Sequence, residues 1–225
     1  MTFGLLLFIA PAILLGLWAQ MMIRSSYARA QQQPAPLSGA AAARHILDSA
    51  GLGNVDVEMT PGHLSDHYDP RQKVLRLSHE VYQSRSLAAV GIAAHEAGHA
   101  IQDARNYAPL VVRNLAVPAA GFGSNIGLFL AFFGVVFSLQ PLLLAGIILF
   151  SFVVLFQVVN LPVEFNASSR AKEQLATLGI VGPGDMTYVR KVLNAAALTY
   201  VAATLQAILT LLYYVMLVSG MRRSD

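Results

Sequence analysis

Five consecutive residues, His95-Glu96-Ala97-Gly98-His99, hold most of the chemistry that this sequence offers. On a helix, positions i and i+4 lie one turn apart on one face, so both imidazoles can reach a single cation. Glu96, beside the first histidine, is placed to take a proton from a metal-bound water, as in the H-E-x-x-H zinc hydrolases. The chain has no cysteine, which excludes thiol catalysis, disulfides and thiolate-held metal. Any metal is therefore held by His, Asp or Glu, and the expected cofactor is Zn2+. A pair of core histidines is the plain structural alternative, but a buried glutamate between them is costly without a metal or a partner.

A catalytic zinc keeps three protein ligands and one open position. The longer pattern H-E-x-x-H-x-x-G-x-x-H would supply a third histidine, but Gln102 stands at its Gly position and Arg105 at its last His position. The third ligand must lie elsewhere. Glu164, within Leu161-Pro162-Val163-Glu164-Phe165-Asn166-Ala167-Ser168, is the leading candidate, because an ionisable residue beside an apolar span needs a reason and a cation is one. Two alternatives stay open: Asp103 as the ligand, one turn beyond His99, or Glu164 as an interfacial group paired with Arg170 or Lys172.

The elements that must carry these residues are set by the composition. Of 225 residues, 56% are hydrophobic and 12% charged, about half the charged share of roughly 25% in soluble domains. Four apolar runs, Phe3–Ile23, Asn114–Phe137, Leu142–Leu161 and Ala195–Val218, reach the length a helix needs to cross a bilayer. The first is longer than the apolar core of a cleaved signal peptide, and no Lys or Arg precedes it, so it reads as a retained anchor. The expected fold is a mainly α membrane protein with about four transmembrane helices and a small α+β zincin-like cap. The boundaries read as an anchor at 1–23, the cap at 24–110, a transmembrane hairpin at 111–161, a second polar loop bearing the third ligand at 162–194, and the last helix and tail at 195–225.

Within 24–110, Ser38 can cap a helix ending before Gly51. Val55, Val57 and Met59 alternate with polar residues as in a strand, and Lys73–Leu77 forms a second strand, an edge to which an extended substrate can add. A helix starting near Ser84 or Ser86 and ending near Asn106 carries His95 and His99. Ser65-Asp66-His67-Tyr68-Asp69-Pro70 packs four polar groups into a turn between strands, or into a contribution to the site. His45, His63 and His79 have no partner at metal spacing and read as surface residues. Tyr200 and Gln206 lie in the last apolar run, lining the site or bonding between helices.

The formal charge of +3 is too mild for a nucleic-acid binder and fits a membrane surface. Thirteen of the fifteen Lys and Arg fall in the two stretches between apolar runs, 24–113 and 162–194, and Arg24, Arg29, Arg113, Arg170 and Lys172 flank apolar runs, so the positive-inside rule puts those stretches in the cytoplasm. Arg222 and Arg223 pull the other way.

The blocks HEAGHAIQ, SDHYDPRQKVLRLSHEVYQSRSLAAVGIAAHE, LPVEFNAS and LNAAALTYVAATLQA resemble the YugP-type neutral zinc metallopeptidases, membrane proteins of bacteria. The resemblance runs over about residues 38 to 212. It implies a zinc-dependent peptidase of the gluzincin kind in the bacterial plasma membrane, with His95, His99 and Glu164 as ligands and Glu96 as base and acid. A more distant resemblance is to the CAAX prenyl protease and HtpX group, whose later motif is E-x-x-A-D. Glu164 and Ala167 match it, whereas Ser168 stands where the Asp that orients a zinc histidine would be, leaving Asn166 or Ser168 to substitute. The leading function is an endopeptidase acting on a peptide or membrane-protein substrate. The runner-up is a membrane scaffold or quality-control adaptor that keeps zinc with little hydrolysis, against which an intact Glu96 argues.

Overall fold

The computed structural model describes residues 2–63 and 65–221. In chain order it contains α1 (Thr2–Gln31), α2 (Gly39–Ser49), β1 (Asp56–Thr60), β2 (His67–Asp69), β3 (Val74–Ser78), α3 (His79–Gln83), α4 (Leu87–Ala104), α5 (Ala108–Phe122), a π-helical turn (Gly123–Gly127), α6 (Leu128–Val136), α7 (Gln140–Thr177) and α8 (Met186–Met221). The chain divides into two compact units, one formed by Met1–Trp18, Val111–Pro162 and Thr199–Asp225 and the other by Ala19–Leu110 and Val163–Leu198.

Four helical stretches are long and apolar enough to cross a membrane: Gly4–Gln31, Ala108–Val136, Gln140–Thr177 and Met186–Ser219. In the first unit their outward side chains include Leu14, Leu115, Phe129 and Ile148, all exposed, as lipid-facing residues are. α6 turns into α7 through Ser138, which adopts φ +54 while Leu139 N–H donates to the Gly134 carbonyl at 2.8 Å. This is the helix-ending arrangement in which a left-handed residue follows the cap. A side chain at Gly127 would meet the Phe150 backbone nitrogen at 2.9 Å, so the hairpin packs through its small residues. Arg222 and Arg223, which oppose the charge asymmetry, lie outside the described residues.

The second unit is an α+β layer. The Ser38 hydroxyl caps α2 by accepting from Ala41 N–H at 3.3 Å, and Ser86 caps α4 by accepting from Ala89 N–H at 3.2 Å. α4 ends at Arg105, where Asn106 takes φ +49 and Tyr107 N–H closes on the Gln102 carbonyl. Ile46 and Leu47 of α2, Leu75 and Leu77 of β3, and Val90 and Ala94 of α4 form a continuous buried core with Leu175 of α7 and Val189 of α8.

Two features differ from the expectation. The sheet has three strands in the order β1-β3-β2, with β1 parallel and β2 antiparallel to β3. Lys73–Leu77 is thus not an edge. β3 is hydrogen-bonded on both sides, because His67–Asp69 extends into a strand too short to announce itself by alternation. Residues 162–194, expected as a polar loop, are largely helical: α7 runs through Pro162 to Thr177, and α8 begins at Met186. A helix of that length spans about 57 Å, nearly twice the roughly 30 Å of hydrocarbon, so its polar end extends beyond the apolar run.

Candidate metal centre

α4 is an alanine-rich helix buried along most of its length, and it presents His95 and His99 one turn apart. α7 answers with the same spacing. Glu164 and Ser168 lie one turn apart on the face that also buries Val163, Ala167 and Ala171. The two helices approach closely because Gly98 faces the backbone of Ala167, where an added Cβ would stand 2.7 Å from the carbonyl oxygen. The small residues of the motif itself therefore set the distance between ligand helices. Gly98→Ala is expected to lower stability by about 1–3 kcal/mol, as overpacking does, and to weaken metal binding, whereas Gly182→Ala, with nothing within 4 Å, should be neutral. Thermal unfolding in detergent checks the pair, and equal melting temperatures would refute the close-approach argument.

His95, His99 and Glu164 converge, with one potential ligand atom from each lying within 4.8 Å of the others. Glu164 Oε2 lies 3.2 Å from His95 Nε2 and 3.8 Å from His99 Nε2. Ligand bonds near 2.1 Å around a tetrahedral zinc separate neighbouring ligand atoms by about 3.4 Å, so the spacing suits the ion. Both outer ring nitrogens are engaged. The Ser168 hydroxyl is 3.1 Å from His95 Nδ1, and Gln102 Oε1 is 2.9 Å from His99 Nδ1. Ser168, at the position of the missing Asp, therefore contacts a histidine of the group able to hold a metal.

Electrostatics favour a cation here. Burial opposes charge on His99, yet the hydrogen bond to Glu164 and the fields of Glu96 and Glu164 outweigh it and raise the imidazole above its ordinary pKa. The field that favours a proton also favours a dication.

The other polar candidates have different partners. Asp103 accepts from Tyr68 Oη at 2.8 Å and pairs with Lys73 Nζ at 2.5 Å, so it is committed to the sheet and stands outside the metal-ligating group. Arg170 Nε donates to Asn166 Oδ1 at 2.7 Å rather than to Glu164. In the 65–70 segment, Asp66 accepts from Ser78 N–H at 2.8 Å and His67 Nδ1 lies 2.8 Å from the Ser65 carbonyl. Asp69 accepts from the backbone of Arg71 and Gln72 and from Arg76, which holds its carboxyl below the usual range. Burial, followed by the Asp103 hydrogen bond, raises the Tyr68 phenol. These contacts give the segment a structural role as a sheet edge. His45, His63 and His79 are exposed. Tyr200 and Gln206 belong to the first unit. Sequence reasoning passed over Gln102, which is fully buried and could have been found by its place in the 95, 99, 102 stripe on one helix face.

Two histidines and a glutamate meeting on two helices, with a carboxylate directly after the first histidine, define a zincin-type metal centre in a protein with membrane-length helices. Comparison with known sequences narrows the class. The chain belongs to the family of neutral zinc metallopeptidases, since residues 5–219 match the family described as "Putative neutral zinc metallopeptidase". It is 44% identical over 216 residues to the "Putative membrane protease YugP" of Bacillus subtilis (strain 168), a match covering 95% of this chain and 96% of the relative. No solved structure matches it. Zinc is the metal of this family, and His95, His99 and Glu164 are the grouped residues able to hold it.

Proposed function

We propose that this protein is an integral-membrane zinc endopeptidase that cleaves peptide or membrane-protein substrates, with His95, His99 and Glu164 holding the ion. The observation that carries this reading is the state of Glu96. It is half-buried next to the His-His-Glu group and makes no hydrogen bond or ion pair among the described residues. Its carboxylate is left to handle protons. Bound zinc would supply a Lewis acid for the scissile carbonyl and lower the pKa of a water near pH 7. Glu96 takes the proton from the attacking water and returns it to the leaving amine nitrogen as the C–N bond breaks. The description of the B. subtilis relative as "Putative membrane protease" supports proteolysis at a membrane.

Full-length protein purified without chelators is expected to carry about one zinc per chain, because one His-His-Glu group makes one site. His95→Ala and His99→Ala should each remove it. Elemental analysis finding no zinc in the wild type would overturn the assignment, and casein cleavage abolished by chelator and restored by zinc would support it.

The reading includes an orientation, with the catalytic unit in the cytoplasm of a bacterial cell. The native chain has no cysteine, so single cysteines report cleanly. Those placed at Gln32 and Glu173 are expected to resist impermeant thiol reagents in intact cells, and one placed at Ser224 to react. The reverse pattern would put catalysis outside the cytoplasm.

A further inference from the structure

Gln102 is the one fully buried polar side chain on α4 near the metal group, at 0% exposure, and every polar atom of its amide is used. Its Nε2 lies 2.8 Å from the Val163 carbonyl oxygen and 3.0 Å from Asn166 Oδ1, while Oε1 lies 2.9 Å from His99 Nδ1. An amide side chain can face either way until its partners decide. Here they decide. A backbone carbonyl only accepts, so the Gln102 atom facing Val163 is the nitrogen. Arg170 Nε only donates, so the Asn166 atom it meets at 2.7 Å is the oxygen, which again demands the nitrogen of Gln102. The amide oxygen is then turned to His99, and an amide oxygen only accepts. His99 Nδ1 must carry the proton, and in the neutral ring Nε2 is left with its lone pair, on the side of Glu164.

We infer that Gln102 is a positioning residue that locks His99 in its metal-ready tautomer, using the Val163 carbonyl and the Arg170–Asn166 pair as fixed references. The inference rests on the reading of His95, His99 and Glu164 as ligands. Val163 immediately precedes Glu164, so the same amide ties His99 to the turn of α7 that bears the third ligand. His95 is held differently. Its Nδ1 meets the Ser168 hydroxyl at 3.1 Å, and a hydroxyl donates or accepts equally well, so Ser168 steadies the ring without dictating its tautomer. The two histidines are therefore unequal, one locked and one permissive.

The test measures zinc affinity by chelator competition, and the visible absorption of the cobalt-substituted protein, on full-length chains in detergent. Gln102→Leu removes the acceptor and is expected to weaken zinc by about 10–100-fold, as loss of an orienting partner does. Gln102→Glu keeps an oxygen toward Nδ1, and the single proton of its acid form can serve the Val163 carbonyl while the bond to Asn166 is given up. It should stay within about threefold of wild type and reproduce the wild-type cobalt spectrum, while Ser168→Ala should lose less than Gln102→Leu. A leucine variant matching wild type, or a glutamate variant as weak as the leucine one, overturns the inference, the second result showing that an acceptor facing Nδ1 does not carry the effect. If Gln102→Leu does not fold, Gln102→Glu decides alone, affinity near wild type supporting the inference and a loss of tenfold or more defeating it. A wild type that binds no zinc defeats the ligand reading and the inference with it, whereas zinc-replete wild type with an indifferent position 102 defeats the inference only.

Discussion

Glu96→Gln is expected to retain a full complement of zinc and to lose peptide hydrolysis by about 10²–10⁴-fold, the usual contribution of a positioned general base. The substitution keeps the shape of the side chain and removes only its ability to take a proton. Glu96 makes no side-chain hydrogen bond or ion pair among the described residues, and its charge acts on the site only through its field on His99, so zinc content is compared at saturating metal. Stability and metal content should stay at wild-type levels, which separates this variant from those that disturb the ligands. The measurement is the rate of casein or membrane-protein cleavage at matched zinc occupancy. Near-normal hydrolysis by the glutamine variant would falsify the role given to Glu96. A wild type that binds zinc fully but cleaves nothing across a broad substrate set would instead favour a zinc-retaining scaffold.

Glu164→Gln is expected to weaken zinc by more than about 100-fold, exceeding the 10–100-fold typical of a lost orienting partner. Glu164 is 6% exposed and its carboxylate faces both imidazoles, so its replacement removes the carboxylate oxygen that the proposed site takes as its third ligand. Asp103→Asn provides the contrast. Asp103 is one turn from His99 and is likewise a carboxylate, but it is held by Tyr68 and Lys73. Its substitution should leave zinc affinity almost unchanged and cost about 1 kcal/mol of stability through weakened hydrogen bonding to the sheet. Equilibrium competition with a chromophoric chelator reads both variants. Tight binding by Glu164→Gln, or its loss in Asp103→Asn, would reverse the ligand assignment.

Much of this protein is legible in one dimension. The four apolar runs are each long enough to require a bilayer, and the serines at positions 38 and 86 mark helix starts because a hydroxyl before an apolar-periodic segment satisfies free amides. The spacing of His95 and His99 is a local property of one helix, so the paired imidazoles follow from the sequence alone. Elimination reaches part of the way at this level: with no cysteine, and with Arg105 where a third histidine would stand, a third ligand has to come from another residue, and the sequence leaves both Glu164 and Asp103 open.

What tertiary structure decided is which distant groups meet, since contacts between 30 and 69 residues apart leave no periodic trace in the chain. It turned Glu164 toward the histidines, and it gave Asp103 to Tyr68 and Lys73. It made β3 central rather than an edge, because the three residues of β2 are too few for alternation to reveal. Gln102 shows the division most clearly. Its position in the sequence says only that no metzincin histidine follows, while its role depends on a carbonyl and a guanidinium brought by α7, whose one-way hydrogen bonding fixes an amide and, through it, an imidazole.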